Sequence, residues 1–122
     1  MSEGPSWVAV LPADEVEPNG VTLVRAAGRD YVVYDAPDGL YASLAYCTHA
    51  GALLRDGYFD RHLIECPLHQ GCFDIRTGEP MGAPATRPLR VVEVRERAGM
   101  VELRVGPGRS QAQSAAAGET QA

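Results

Sequence analysis

Two short segments hold the residues best suited to bind a metal: Cys47-Thr48-His49 and Cys66-Pro67-Leu68-His69, with residues 50–65 between them. Each offers one thiolate and one imidazole. Such a set can close a tetrahedral zinc site, or it can divide over the two irons of a [2Fe–2S] cluster, both sulfurs on one iron and both nitrogens on the other. Paired zinc ligands usually stand about two to five residues apart, because one turn must aim both at a single ion. Cys-x-His is tight for that purpose, whereas neighbouring side chains diverge readily toward two metals. The two segments also share a construction, Cys-x-His-Ala-Gly and Cys-Pro-x-His-Gln-Gly. A glycine behind each histidine lets the backbone come close to inorganic sulfides and donate N–H groups to them.

The other reactive residues fit plainer roles. Cys72 follows the second segment without a ligand partner at useful spacing and reads as a small, semi-buried thiol. His62, beside Arg61, reads as a solvated loop residue. Trp7, Tyr31, Tyr34 and Phe73 are expected in the core or shielding the metal. Asp56, Asp60, Glu65, Asp74 and Glu79 surround the two segments in sequence, as an ordinary solvated face or as a patch that steers a basic partner.

Those ligands need a scaffold, and the pattern that supplies it is β. Helical periodicity is absent, while short runs rich in Val, Leu and Tyr recur between turn signals at 7–10, 21–26, 31–35, 41–45, 63–65, 89–95 and 101–105. Pro37-Asp38-Gly39 and Ala98-Gly99 read as tight hairpin turns, with Asp-Gly supplying positive φ angles. Residues 12–16 allow one helical turn, ended by Pro18-Asn19-Gly20. Residues 47–84 are dense in Gly, Pro, Cys and His with only scraps of strand, like a functional insertion.

The fold class is therefore all-β, an antiparallel scaffold carrying a small inserted subdomain. A chain of 122 residues suits one domain. It is expected over residues 7–105, with the metal-binding part at about 45–85. Flexible ends are expected at 1–6 and 106–122, the latter rich in Ser, Gln, Ala and Gly.

Composition narrows the partners. A net charge of −5 argues against nucleic acid and anionic membranes, and no apolar run approaches the roughly 20 residues of a membrane span. All eleven basic residues are arginines. Three cysteines, an odd number, favour a metal or redox role over a disulfide framework. With neither a basic leader nor an apolar signal core at the N-terminus, a cytoplasmic monomer is the expectation.

Beyond these readings, the chain resembles the Rieske proteins, in particular the small ferredoxins of bacterial aromatic-ring-hydroxylating dioxygenase systems. Cys47-Thr48-His49-Ala50-Gly51-Ala52 resembles that family's first cluster loop. Asp56-Gly57-Tyr58 and then Ile64 through Gly78 resemble the second loop and its approach, and Ala83-Pro84-Ala85-Thr86-Arg87-Pro88-Leu89 resembles the proline loop. The resemblance implies a Rieske fold and one [2Fe–2S] cluster, with Cys47 and Cys66 on the inner iron and His49 and His69 on a solvent-facing outer iron. It also implies a one-electron carrier, not an enzyme, between an NAD(P)H-dependent flavoprotein reductase and a terminal ring-hydroxylating oxygenase, both met transiently.

Cytochrome bc-type relatives add a disulfide at the positions of Ala52 and Leu68, and hydroxyls at those of Gly71 and Phe73. The chain lacks all four groups. Fewer hydrogen bonds to sulfur imply a potential near the low end of the Rieske range, about −150 mV. Two alternatives remain: a Rieske-like small subunit of a larger reductase such as nitrite reductase, and a zinc-stabilised interaction module without redox chemistry.

Overall fold

The run Tyr31-Val32-Val33-Tyr34 is apolar on both alternating faces, as expected of a strand covered on both sides, and the computed structural model places it so. It describes residues 6–48, 51–68, 71–82 and 87–106. The run lies in strand β3 (Arg29–Ala36), where the side chains from Tyr31 to Tyr34 are all buried. Tyr31 and Val33 join one core with Val24, Ala42, Val101 and Leu103. Val32, Tyr34 and Ala36 join a second, with Cys47, Leu54, Ile64, Cys66, Phe73, Ile75 and Leu89. β3 is thus a wall shared by the scaffold core and the core beneath the two ligand segments.

Around it runs a six-stranded antiparallel sheet: β1 (Ser6–Pro12), β10 (Met100–Val105), β9 (Val91–Arg97), β4 (Gly39–Leu44), β3 and β2 (Val21–Ala26), in that spatial order. Only Ala42↔Val92 and Ser43↔Val91 pair across β4 and β9. The turns Ala27-Gly28 and Ala98-Gly99 have φ of 52° and 79°, and 53° and 80°. Positive φ at both central residues is the two-residue hairpin geometry that follows strand twist.

The turn before β4 differs from expectation. Pro37 fixes a negative φ, so the positive angle falls on Gly39, at 141°, and not on Asp38. Strand ends differ as well: β4 stops at Leu44, and β9 starts at Val91 because Leu89 donates its N–H to the Gly78 carbonyl instead. The single turn of 3-10 helix at Ala13–Glu15 matches the helical turn expected there.

The insertion is more ordered than scraps of strand. Strands β5 (Tyr58–Asp60), β6 (Leu63–Glu65), β7 (Cys72–Asp74) and β8 (Pro80–Gly82) form an antiparallel meander. Three-residue strands are too short to express a period, and pairing with neighbours defines them. One face, with Ile64 and Phe73, is buried in the second core. The expected flexible ends lie almost wholly outside the described residues. No described helix is long and apolar enough to cross a membrane.

Candidate metal centre

Two loops rise from the ends of β4 and β6, and the same backbone device closes both. In the first, the Cys47 N–H donates to the Ala52 carbonyl at 2.9 Å, and Gly51, with φ of 71°, returns its N–H to the Cys47 carbonyl at 2.8 Å. Below them Tyr46 bridges to Leu53, and the Leu54 N–H reaches the Ala45 carbonyl at 2.8 Å. In the second, the Cys66 N–H donates to the Gly71 carbonyl at 2.6 Å. Each cysteine N–H therefore closes its loop on the carbonyl five residues on. The approach to the second loop depends on Gly57, where a Cβ would collide with the Glu65 carbonyl oxygen.

Both thiols are buried, Cys47 3% and Cys66 1% exposed, in the one core that also contains Phe73 and Leu89. They are free thiols, and the Cys47 sulfur is close enough to perturb Cys66. Burial pushes the Cys66 thiol up to about 11; the Leu68 N–H, which donates to its sulfur at 3.4 Å, opposes this, and the neighbouring Cys47 sulfur adds to it. Without metal the Cys66 site thus keeps its proton at neutral pH, and loading a metal releases it. Two sulfurs buried in one core, one already receiving a backbone N–H, suit a thiolate-ligated iron.

His49 and His69 lie outside the described residues. The chain leaves the core just before each: Thr48 is half-buried, and Leu68 is 51% exposed only two residues after buried Cys66. Phe73 is fully buried in the same core as Cys66. The nearby hydroxyls have oxygen partners: Tyr46 donates to Asp30 at 2.7 Å, and Thr48 to the Arg87 carbonyl at 2.7 Å.

Of the remaining candidates, Cys72 is half-buried on β7, where burial and then the Glu65 carboxylate hold its thiol above the usual range. Tyr31 and Tyr34 are core residues, and Trp7 belongs to the scaffold, with the Arg95 guanidinium 4.1 Å above its ring. His62 sits in the β5–β6 turn as expected, but it is only 22% exposed and has partners. Its Nε2 lies 2.8 Å from the Asp38 carboxylate, and its ring meets Tyr41 edge-on at 5.8 Å, tying the β5–β6 turn to the β3–β4 turn.

Asp74 also leaves the solvated face. It is 8% exposed and chelated by Arg76 through Nε at 3.0 Å and Nη2 at 2.9 Å, and this pairing holds its carboxyl below the usual range. Asp56, Asp60 and Glu79 remain exposed. Sequence reading missed the Thr48–Arg87 contact and the His62–Asp38 pair, since no local pattern marks partners so far apart along the chain.

The family model for the Rieske [2Fe-2S] domain matches residues 6–93. The chain belongs to the Rieske [2Fe–2S] family. This Rieske protein is 46% identical over 100 residues to the anthranilate 1,2-dioxygenase ferredoxin subunit of Burkholderia cepacia, covering 82% of this chain and 93% of that one. Among solved structures it resembles the ferredoxin of carbazole 1,9a-dioxygenase from Nocardioides aromaticivorans IC177, with a TM-score of 0.74, 36% identity, and 84% and 98% of the two chains covered. A chain in the complex of reduced oxygenase and oxidized ferredoxin in carbazole 1,9a-dioxygenase is 37% identical, with a TM-score of 0.74 and 80% and 92% coverage. The family's group is one Rieske-type [2Fe–2S] cluster, and the two matched loops with their buried, unbridged thiols fit it.

Proposed function

We propose that Cys47 and Cys66 hold the inner iron of this cluster and His49 and His69 the outer iron, within one domain spanning residues 7–105 whose cluster-binding part covers about 45–85. When bound, the cluster supplies one-electron redox chemistry. The chain supplies a pair of loops that hold the thiolates in a dry core and lead outward within two residues of each cysteine. Through them the protein carries single electrons from an NAD(P)H-dependent flavoprotein reductase to a terminal ring-hydroxylating oxygenase. It is a carrier, not an enzyme, like the ferredoxin components it resembles.

The observation that carries this reading is the matched closure of the two loops around two thiols buried in one core. We place the protein in the cytoplasm, acting as a monomer.

The test is electron paramagnetic resonance of the dithionite-reduced protein, where mixed histidine and cysteine ligation lowers the average g value. His49→Ala and His69→Ala should abolish that signal. A colourless protein that binds zinc would refute the redox reading. A stoichiometric complex with a larger reductase that survives purification would replace the diffusing carrier with a subunit.

A further inference from the structure

Thr48 stands between two of the proposed ligands, and one distant residue holds both its side chain and its backbone. The Thr48 hydroxyl donates to the Arg87 carbonyl oxygen at 2.7 Å, and Arg87 Nη2 donates back to the Thr48 carbonyl oxygen at 3.0 Å. Arg87 is in turn anchored. Two residues on, the Leu89 N–H donates to the Gly78 carbonyl at 2.8 Å, and the Leu89 side chain is buried in the same core as Cys47 and Cys66. Gly78 makes this approach possible: its φ is 85°, and a Cβ there would collide with the Leu89 carbonyl oxygen. Residues 87–89 therefore form a strap fixed to the core at one end and gripping the first loop at the other.

The Thr48 carbonyl belongs to the planar peptide unit that joins Thr48 to His49. A donor on that oxygen orients the backbone from which the next ligand springs. The donor here also carries the positive charge of a guanidinium. A fixed cation beside a group that gains negative charge on reduction favours the reduced form.

We propose that Arg87 is a positioning residue for the cluster, clamping the first loop through Thr48 and raising the reduction potential by its charge. This role rests on the ligand assignment above. Arg87 is exposed, and among the described residues its guanidinium bonds to the first loop and to no core residue, so its variants should fold.

The test compares Arg87→Ala, Arg87→Gln and Arg87→Lys with the parent, all cluster-loaded, by spectroelectrochemistry at low salt and by the rate of cluster loss to a chelator. Both neutral variants should lower the reduced-to-oxidised ratio at a fixed electrode potential by about three- to tenfold, the range expected for one partly solvated charge. At 59 mV per tenfold for one electron, that is about 28 to 59 mV. Arg87→Lys should recover the ratio to within about twofold yet still lose its cluster faster than the parent, because an ammonium does not reproduce the guanidinium fork.

Neutral variants whose ratio stays within about 1.5-fold of the parent would overturn the electrostatic role. Equal rates of cluster loss in all four proteins would overturn the clamp. A parent protein without the mixed-ligand resonance would instead refute the ligand assignment, and this role with it.

Discussion

Replacing Ser43 by alanine removes one oxygen from the interior, yet it should cost more than a surface hydroxyl does. Tyr34 is fully buried in the core that holds Cys47 and Cys66, and its hydroxyl lies 2.9 Å from Ser43 Oγ. Ser43 Oγ in turn donates to the Leu44 carbonyl at 2.9 Å, so the phenol is the donor in the Tyr34–Ser43 contact. Burial holds the phenol far above its usual range, so it stays a neutral donor that requires an acceptor. Ser43→Ala strands that donor in a dry site, at about 1–3 kcal/mol. Tyr34→Phe leaves Ser43 still bonded to Leu44 and should cost less, about 0.5–1.5 kcal/mol. The double variant strands nothing, so its cost should fall below the sum of the two single changes, with a coupling of about 1 kcal/mol. Anaerobic urea unfolding of the cluster-loaded protein reads these differences. With a slope of about 1–3 kcal/mol per molar, Ser43→Ala should move the midpoint down by roughly 1 M. Strictly additive single and double variants would refute the reasoning, because the two hydroxyls would then act independently.

Three further outcomes are expected. Cys72→Ser should keep the iron content, visible spectrum and resonance of the parent; a lost cluster would mean that the wrong thiols have been assigned. Asp74 has its carboxyl lowered by Arg76, so its contribution is present above the ordinary carboxylate range and lost as pH falls through its depressed folded value. Asp74→Asn should accordingly flatten the fall in melting temperature below about pH 4 relative to the parent. The reduction potential should lie near the low end of the Rieske range, about −150 mV, because Phe73 and Gly71 offer no hydroxyl to sulfur; protein-film voltammetry returning a clearly positive value would contradict this.

The two cysteine segments, whose Cys47 and Cys66 the fold brings into one core, stood out in the sequence because cysteine and histidine are rare and tightly spaced within each. The scaffold strands were legible where β-branched, Leu and Tyr residues cluster over several positions between turn signals, as in β2 and β3. Strands β5, β7 and β8 escaped because three residues hold no period, and Tyr58, Cys72 and Pro80 say nothing alone about whom they pair with. Turn chemistry was legible at Ala98-Gly99 but misjudged at Asp38, where the preceding proline decides the geometry. The partners of His62 were missed for a different reason. Its neighbours Arg61 and Leu63 are exposed, whereas its partner Asp38 belongs to another hairpin and meets it only in the folded chain.

The shared closure of the two cysteine loops bears on speed as well as on binding. Because each loop is tied by its own peptide groups, with Cys47 to Ala52 and Cys66 to Gly71, the frame that grips the sulfurs does not depend on the charge of what it grips. A cluster bound there, as proposed, would meet a protein frame that need not rearrange when its charge changes. A protein whose task is to exchange electrons during brief encounters gains from that stiffness, since transfer is completed before the partners separate.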